Sequence, residues 1–204
     1  MDSTDAADLI AEIHEDRAEN EAAESFRNRA ALLIAIMAAV LAIGGLGGGN
    51  ATDDMIGSNI KASNFWAFYQ AKNVRQNMYK IEVERLETQL AANTIPAAER
   101  AAAEKRLGQY RATIARYDSE PDADDPSKGE GKKELMAQAK QWEAAFEEAS
   151  RRDNSFDLAE VALQLALVLG SVAILAINRW ILILSATLGA AGALLTLNGF
   201  LLLV

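Results

Sequence analysis

Three long apolar blocks constrain this chain more than any other feature of it. Residues 30–49 run for twenty positions without a charged or polar side chain. Residues 158–177 form another twenty, interrupted by Glu160, Gln164 and Ser171, and residues 180–204 form twenty-five with Ser185, Thr187, Thr196 and Asn198 but no charge. A helix rises about 1.5 Å per residue, so twenty residues cross the roughly 30 Å hydrocarbon core of a bilayer. In lipid the backbone must satisfy its own hydrogen bonds, which single runs of this kind achieve only as helices. Buried in a soluble domain instead, three helices apolar on every face would need more cover than 204 residues supply. The expected fold is therefore all-α: an integral membrane protein with three transmembrane helices and a coiled-coil-like helical bundle outside the bilayer. The segments are an acidic arm (1–29), a first span (30–49), an extramembrane bundle (50–157) with a flexible loop (118–131), and a terminal hairpin of spans (158–204).

Only Asn178-Arg179 separates the last two blocks, which dictates a tight antiparallel hairpin with Arg179 and Trp180 at one membrane face. Gly49-Asn50-Ala51 offers a small-residue cleavage site, but the acidic leader before the first block argues for an uncleaved anchor. Arg17, Arg27, Arg29 and Arg179 fall on one side of the membrane, Lys61, Arg151 and Arg152 on the other. Arg27 and Arg29 next to the first span, with Asp53 and Asp54 after it, place the amino terminus in the cytoplasm and the bundle outside.

Charge and composition narrow the chemistry. The net charge is −9, and neither the arm (nine acids, three bases) nor residues 50–160 (twenty acids, sixteen bases) forms the basic patch that nucleic acid requires. With no cysteine and one histidine, thiolate catalysis and the usual Cys- or His-rich metal centres are excluded. His14 has no nucleophile or acid in view to work with, and neither a cofactor nor a catalytic residue is expected.

Between the spans, residues 53–92 read as one helix. Ile60, Ala67, Ala71, Val74, Met78 and Ile81 recur at three-, four- and seven-residue spacings, and the stripe then drifts to Val83, Leu86 and Leu90. Thr94 and Pro96 mark a stop and a new start. The next helix, about 96–118, repeats Ala103, Leu107, Tyr110, Ile114 and Tyr117, and from Lys132 onward Leu135, Ala139, Trp142, Phe146 and Ala149 keep the same rhythm. An average period near 3.5 turns each stripe toward a partner helix, which predicts an antiparallel bundle. Residues 118–131, with two prolines, two glycines and six acids, read as a solvated linker; the calcium-loop spacing is missing. No proline or glycine lies between Lys132 and Leu169, so that helix is expected to run on into the second span. In the arm, Ala6, Leu9, Ile10 and Ile13 make a narrow apolar strip suited to a partner helix.

Several small or polar residues inside the spans invite specific readings. Gly44 to Gly49 lacks the Lys-Ser/Thr of a phosphate loop; its Gly44/Gly48 and Gly45/Gly49 pairs instead suit close helix contact or a hinge. Ser185, Gly189 and Ala193, with Gly192 beside them, put small side chains along the last span, for packing within the chain, between chains, or both. Folding the hairpin brings Glu160, Gln164 and Asn198 to neighbouring depths. That makes a candidate intramembrane polar site, set against the plainer reading of Glu160 as an interfacial residue hydrogen-bonded to Asn198.

The densest aromatic cluster is Asn64-Phe65-Trp66-Ala67-Phe68-Tyr69-Gln70-Ala71-Lys72, followed by Arg75. Its rings and polar tips suit a helix crossing. With a preceding apolar span and a terminal apolar hairpin, the block Trp66, Tyr69, Gln70, Ala71, Lys72 and Arg75 resembles a bacterial membrane-protein family, domain of unknown function 4337, from about Arg27 onward. The resemblance implies a bacterial envelope protein and carries over no activity, ligand or catalytic residue. The expected role is non-enzymatic: a multi-pass inner-membrane structural or accessory protein that contacts the lipid bilayer and forms a homo-oligomer, or joins another membrane protein complex. The alternatives are a small oligomeric channel or transporter lined by the last span and, last, a membrane-tethered enzyme.

Overall fold

The computed structural model describes residues 3–125 and 128–203, with side chains from residue 16 onward and that of His14. The apolar strip Ala6, Leu9, Ile10 and Ile13 thus lies outside the described side chains. Four helices follow in order: α1 (Ser3–Ala91), α2 (Ala97–Asp118), α3 (Lys132–Ala176) and α4 (Arg179–Leu201). No strand occurs among the described residues. Segments of α1 and α3, and α4 throughout, are long and apolar enough to cross a membrane.

Local chemistry accounts for the breaks. α1 ends in a Schellman motif: Asn93 takes φ 53°, and the Thr94 N–H donates to the Gln89 carbonyl at 3.1 Å. Thr94 looks backward, its hydroxyl donating to that same carbonyl at 3.1 Å, so it closes α1 and leaves Pro96 as the uncapped entry to α2. The α3–α4 turn repeats the device with a β-branched residue: Ile177 sits at φ 49° and the Asn178 N–H donates to the Ala173 carbonyl at 3.2 Å. Asn178 then caps α4, its side chain accepting from the N–H groups of Trp180 and Ile181.

The chain divides into two compact units, the boundaries falling inside α1 at Asp53/Asp54 and inside α3 at Glu148/Ala149. The first unit packs α1, α3 and α4 with small residues inward. Ser185, Gly189, Gly192, Thr196 and Gly199 line the buried side of α4 in a four-three alternation, against a core of Met37, Leu163 and Ala166. Its large apolar side chains face outward: Leu46, Val168, Leu175 and Leu194 are all more than 60 % exposed. A water-soluble unit would show the reverse pattern. The glycine run does not interrupt α1. A Cβ on Gly47 would lie 2.6–2.8 Å from the rings of Phe156 and Phe200, and one on Gly44 would touch Thr196 at 3.4 Å, so close approach and not hinging explains these positions.

The second unit is a three-helix bundle. The α2 and α3 stripes face inward as their spacing predicts, with Ala103, Leu135 and Ala139 buried and Tyr110, Ile114, Tyr117, Trp142 and Phe146 half-buried, while Ala149, the end of the α3 stripe, is buried in the first unit. The stripe on α1 does so only at its drifted end, Val83, Leu86 and Leu90. Ile60, Ala67, Ala71, Val74, Met78 and Ile81 are exposed, and the inward side is the opposite one: Ser58, Ala62, Lys72, Gln76 and Leu86 are buried, with Phe65, Tyr69, Tyr79, Val83 and Leu90 half-buried. The expectation that the apolar stripe meets the bundle partner is corrected for a physical reason. The interior at mid-bundle presents the Glu130 carbonyl and Glu120 carboxylate of the loop and the Ile114 carbonyl of α2, which take an ammonium and an amide and not aliphatic side chains.

Candidate functional site

Helical geometry splits the aromatic block between two faces. Residues three, four or seven apart share a face, so Trp66, Tyr69 and Lys72 point inward with Gln76, while Gln70, Ala71 and Arg75 point away. The inner half is tied down at every position. The Trp66 indole donates to Glu143 Oε1 at 2.7 Å and packs edge-on against Tyr69, ring centres 5.6 Å apart. Lys72 is 5 % exposed. Its ammonium donates to Glu120 Oε2 at 3.2 Å and to the Glu130 carbonyl, with the Glu130 carboxylate 3.8 Å away. The faces of Phe68 and Tyr117 flank it at 5.5 and 5.3 Å. One turn on, fully buried Gln76 donates to the Ile114 carbonyl at 2.9 Å, while its Oε1 has no partner.

The acids of the 118–131 segment stay near the surface, but the segment folds onto this helix. Lys132 donates to Asn73 Oδ1 at 3.2 Å and pairs with Asp118 at 3.5 Å. Glu134, near the start of α3, accepts from the Ser119 hydroxyl at 2.5 Å and from the Glu120 N–H at 3.2 Å. Gly129 and Gly131 are both buried, and a Cβ on either would collide with the 119–121 backbone. Close approach of the two arms of the loop therefore requires glycine at these two positions. The electrostatics agree. The Gln76 amide, backed by Lys132, holds the Asp118 carboxyl below its ordinary value. Burial works to raise Glu134, but the Ser119 hydroxyl and the N–H groups of Glu134 and Glu120 outweigh it and leave that carboxyl lowered. Asp122 is lowered by the N–H groups of Asp125 and Asp124 in a local turn.

The outer half of the block is unused. Gln70 and Arg75 are exposed, and neither makes a hydrogen bond or ion pair among the described residues.

In the first unit, Glu160 accepts from Gln164 Nε2 at 2.7 Å, one turn apart on the exposed side of α3. Asn198 donates to the Ser155 hydroxyl at 3.1 Å. The small-residue positions Ser185, Gly189 and Gly192 are buried within the unit, with Ala193 half-buried. Ser185 donates to the Ala166 carbonyl at 2.6 Å across to α3, and a Cβ on Gly192 would lie 2.7 Å from Leu163 Cγ. Gly48 approaches the Phe156 side chain at 3.3 Å on the same measure.

The family model described as a domain of unknown function (DUF4337) matches residues 26–202. The chain belongs to the DUF4337 family. No curated protein and no solved structure matches it. For this DUF4337 chain the structure gives the block at 66–75 a concrete role, because its lysine clamps a loop more than forty residues away in sequence. Glu120, Glu130, Lys132, Glu134 and Gln76 belong to the same cluster, and hydrophobic periodicity gives no sign of them. The Gly129-Glu130-Gly131 spacing was the available signal, since two glycines flanking a charged residue mark a backbone held close to something else.

Proposed function

We propose that this protein is a non-enzymatic structural or accessory protein of the bacterial inner membrane that self-associates through its helices. The observation that carries the proposal is the inverted face of α1 in the second unit. Five large apolar side chains there (Ile56, Ile60, Val74, Met78 and Ile81) are 50–64 % exposed, while the opposite side buries Lys72 and Gln76. An exposed apolar strip on a water-facing helix marks an interaction surface. Membrane residence is supported by the outward aliphatic side chains of the first unit and the small residues inside it. The orientation with the amino terminus in the cytoplasm follows from Arg27, Arg29 and the Asp53-Asp54 pair. A pore lined by α4 has less support, because Ser185 and Thr196 are buried and donate to carbonyls of their own chain.

The experiment is the mass of the full chain in mild detergent. An integer multiple of 22.0 kDa supports the reading, and a single-chain mass under all conditions removes it.

A further inference from the structure

We infer that the outer face of α1 is a parallel helix–helix seam for a second copy of this chain, with Gln70 of one copy set against Arg75 of the other. The inference rests on the self-association reading above and names its surface and register. Ala67, Ala71, Val74, Met78 and Ile81 follow a strict four-three-four-three spacing, preceded by Ile60 one heptad before Ala67, and all are exposed. This spacing keeps a stripe facing another helix along its length, and the two alanines allow close approach.

The flanking positions select the occupant. In a parallel pair, the residue just before one seam position lies across from the residue five further on in the partner. That rule sets Gln70 against Arg75, Asn77 against Glu82 and Glu84 against Gln89 of the second copy, each an amide facing a charge. No like charges meet in these three flanking pairs, and Arg85, the next seam position, which faces its own counterpart, is neutralised by Glu82 of its own chain at 2.8 Å, so a parallel second copy fits the surface. Copies inserted in one bilayer in the same sense present it parallel. The seam also accounts for the half of the 66–75 block that the chain's own fold leaves without partners.

The chain has no cysteine, so single-cysteine variants of the full protein report the seam directly. In membranes under mild oxidation, Val74→Cys and Ile81→Cys are expected to form disulfide-linked dimers, while Lys80→Cys, placed away from the seam, stays monomeric on the gel. In the Val74→Cys background, Gln70→Arg sets arginine against arginine. It should weaken association about fivefold, and adding Arg75→Gln should restore it. A multimeric mass without crosslinks at 74 and 81 overturns the seam and leaves self-association standing. Crosslinks indifferent to Gln70→Arg overturn the proposed pairing. A single-chain mass overturns both.

Discussion

Replacing Lys72 by Met tests whether one buried ammonium holds the acidic loop on α1. Met keeps most of the aliphatic stem against Phe68 and Tyr117 and removes only the charge and its donors. The Glu130 carboxylate contributes little, because its side chain is 68 % exposed and 3.8 Å away. The Glu120 pair at 3.2 Å is 35 % exposed on the acid side, so its value is also reduced by solvent. What is lost in full is the charge-assisted hydrogen bond to the Glu130 carbonyl, worth about 1.5–3 kcal/mol. The loop should therefore open more easily by about 2 kcal/mol, which is roughly a 30-fold loss of hydrogen-exchange protection. The assay is native-state exchange of the full protein in mild detergent, read on the described amides of 119–131. Arg75→Met, on the opposite face, should leave those amides unchanged. Protection within threefold of the native chain in Lys72→Met, or an equal loss in Arg75→Met, would refute the reasoning.

Three further outcomes follow from the packing and the charges. Gly192→Leu should destabilise the first unit by about 3 kcal/mol in a detergent melt, since its Cβ already meets Leu163 Cγ at 2.7 Å, whereas Gly45→Ala, in open space, should be neutral or stabilising by up to about 1 kcal/mol. Ile177→Gly should raise the melting temperature, by relieving a β-branched residue held at φ 49° of about 1 kcal/mol of strain; no change would show that the turn carries none. Asp118 and Glu134 have folded pKa values below their ordinary ones, so their contribution is present above the unfolded carboxyl pKa of about 4 and is lost as pH falls through the lower folded values. Asp118→Asn with Glu134→Gln should flatten the acid side of the stability profile, and an unaltered slope would count against both assignments.

Helix periodicity made most of the architecture legible. The three apolar blocks, the inward stripes from Ala103 to Tyr117 and from Leu135 to Ala149, and the tight turn at Asn178-Arg179 all express local rules that survive folding. The inner face of α1 escaped that reading because Ser58, Lys72 and Gln76 are polar, and hydrophobic periodicity therefore points to the other side of the helix. The loop escaped it for a related reason. Six acids read as solvation, while the groups that hold the segment, Lys72 and the close approach at Gly129 and Gly131, act over long sequence separations. The turn at Ile177 was hidden because a residue that disfavours positive φ occupies the position where glycine is usual.

Self-association through the outward apolar face of α1 is tested most directly by a double substitution. Light scattering on full-length Val74→Asp/Ile81→Asp in mild detergent should give a single-chain mass of 22.0 kDa with native helical content, beside a native chain at a multiple of that mass. Equal masses for the two proteins would contradict it.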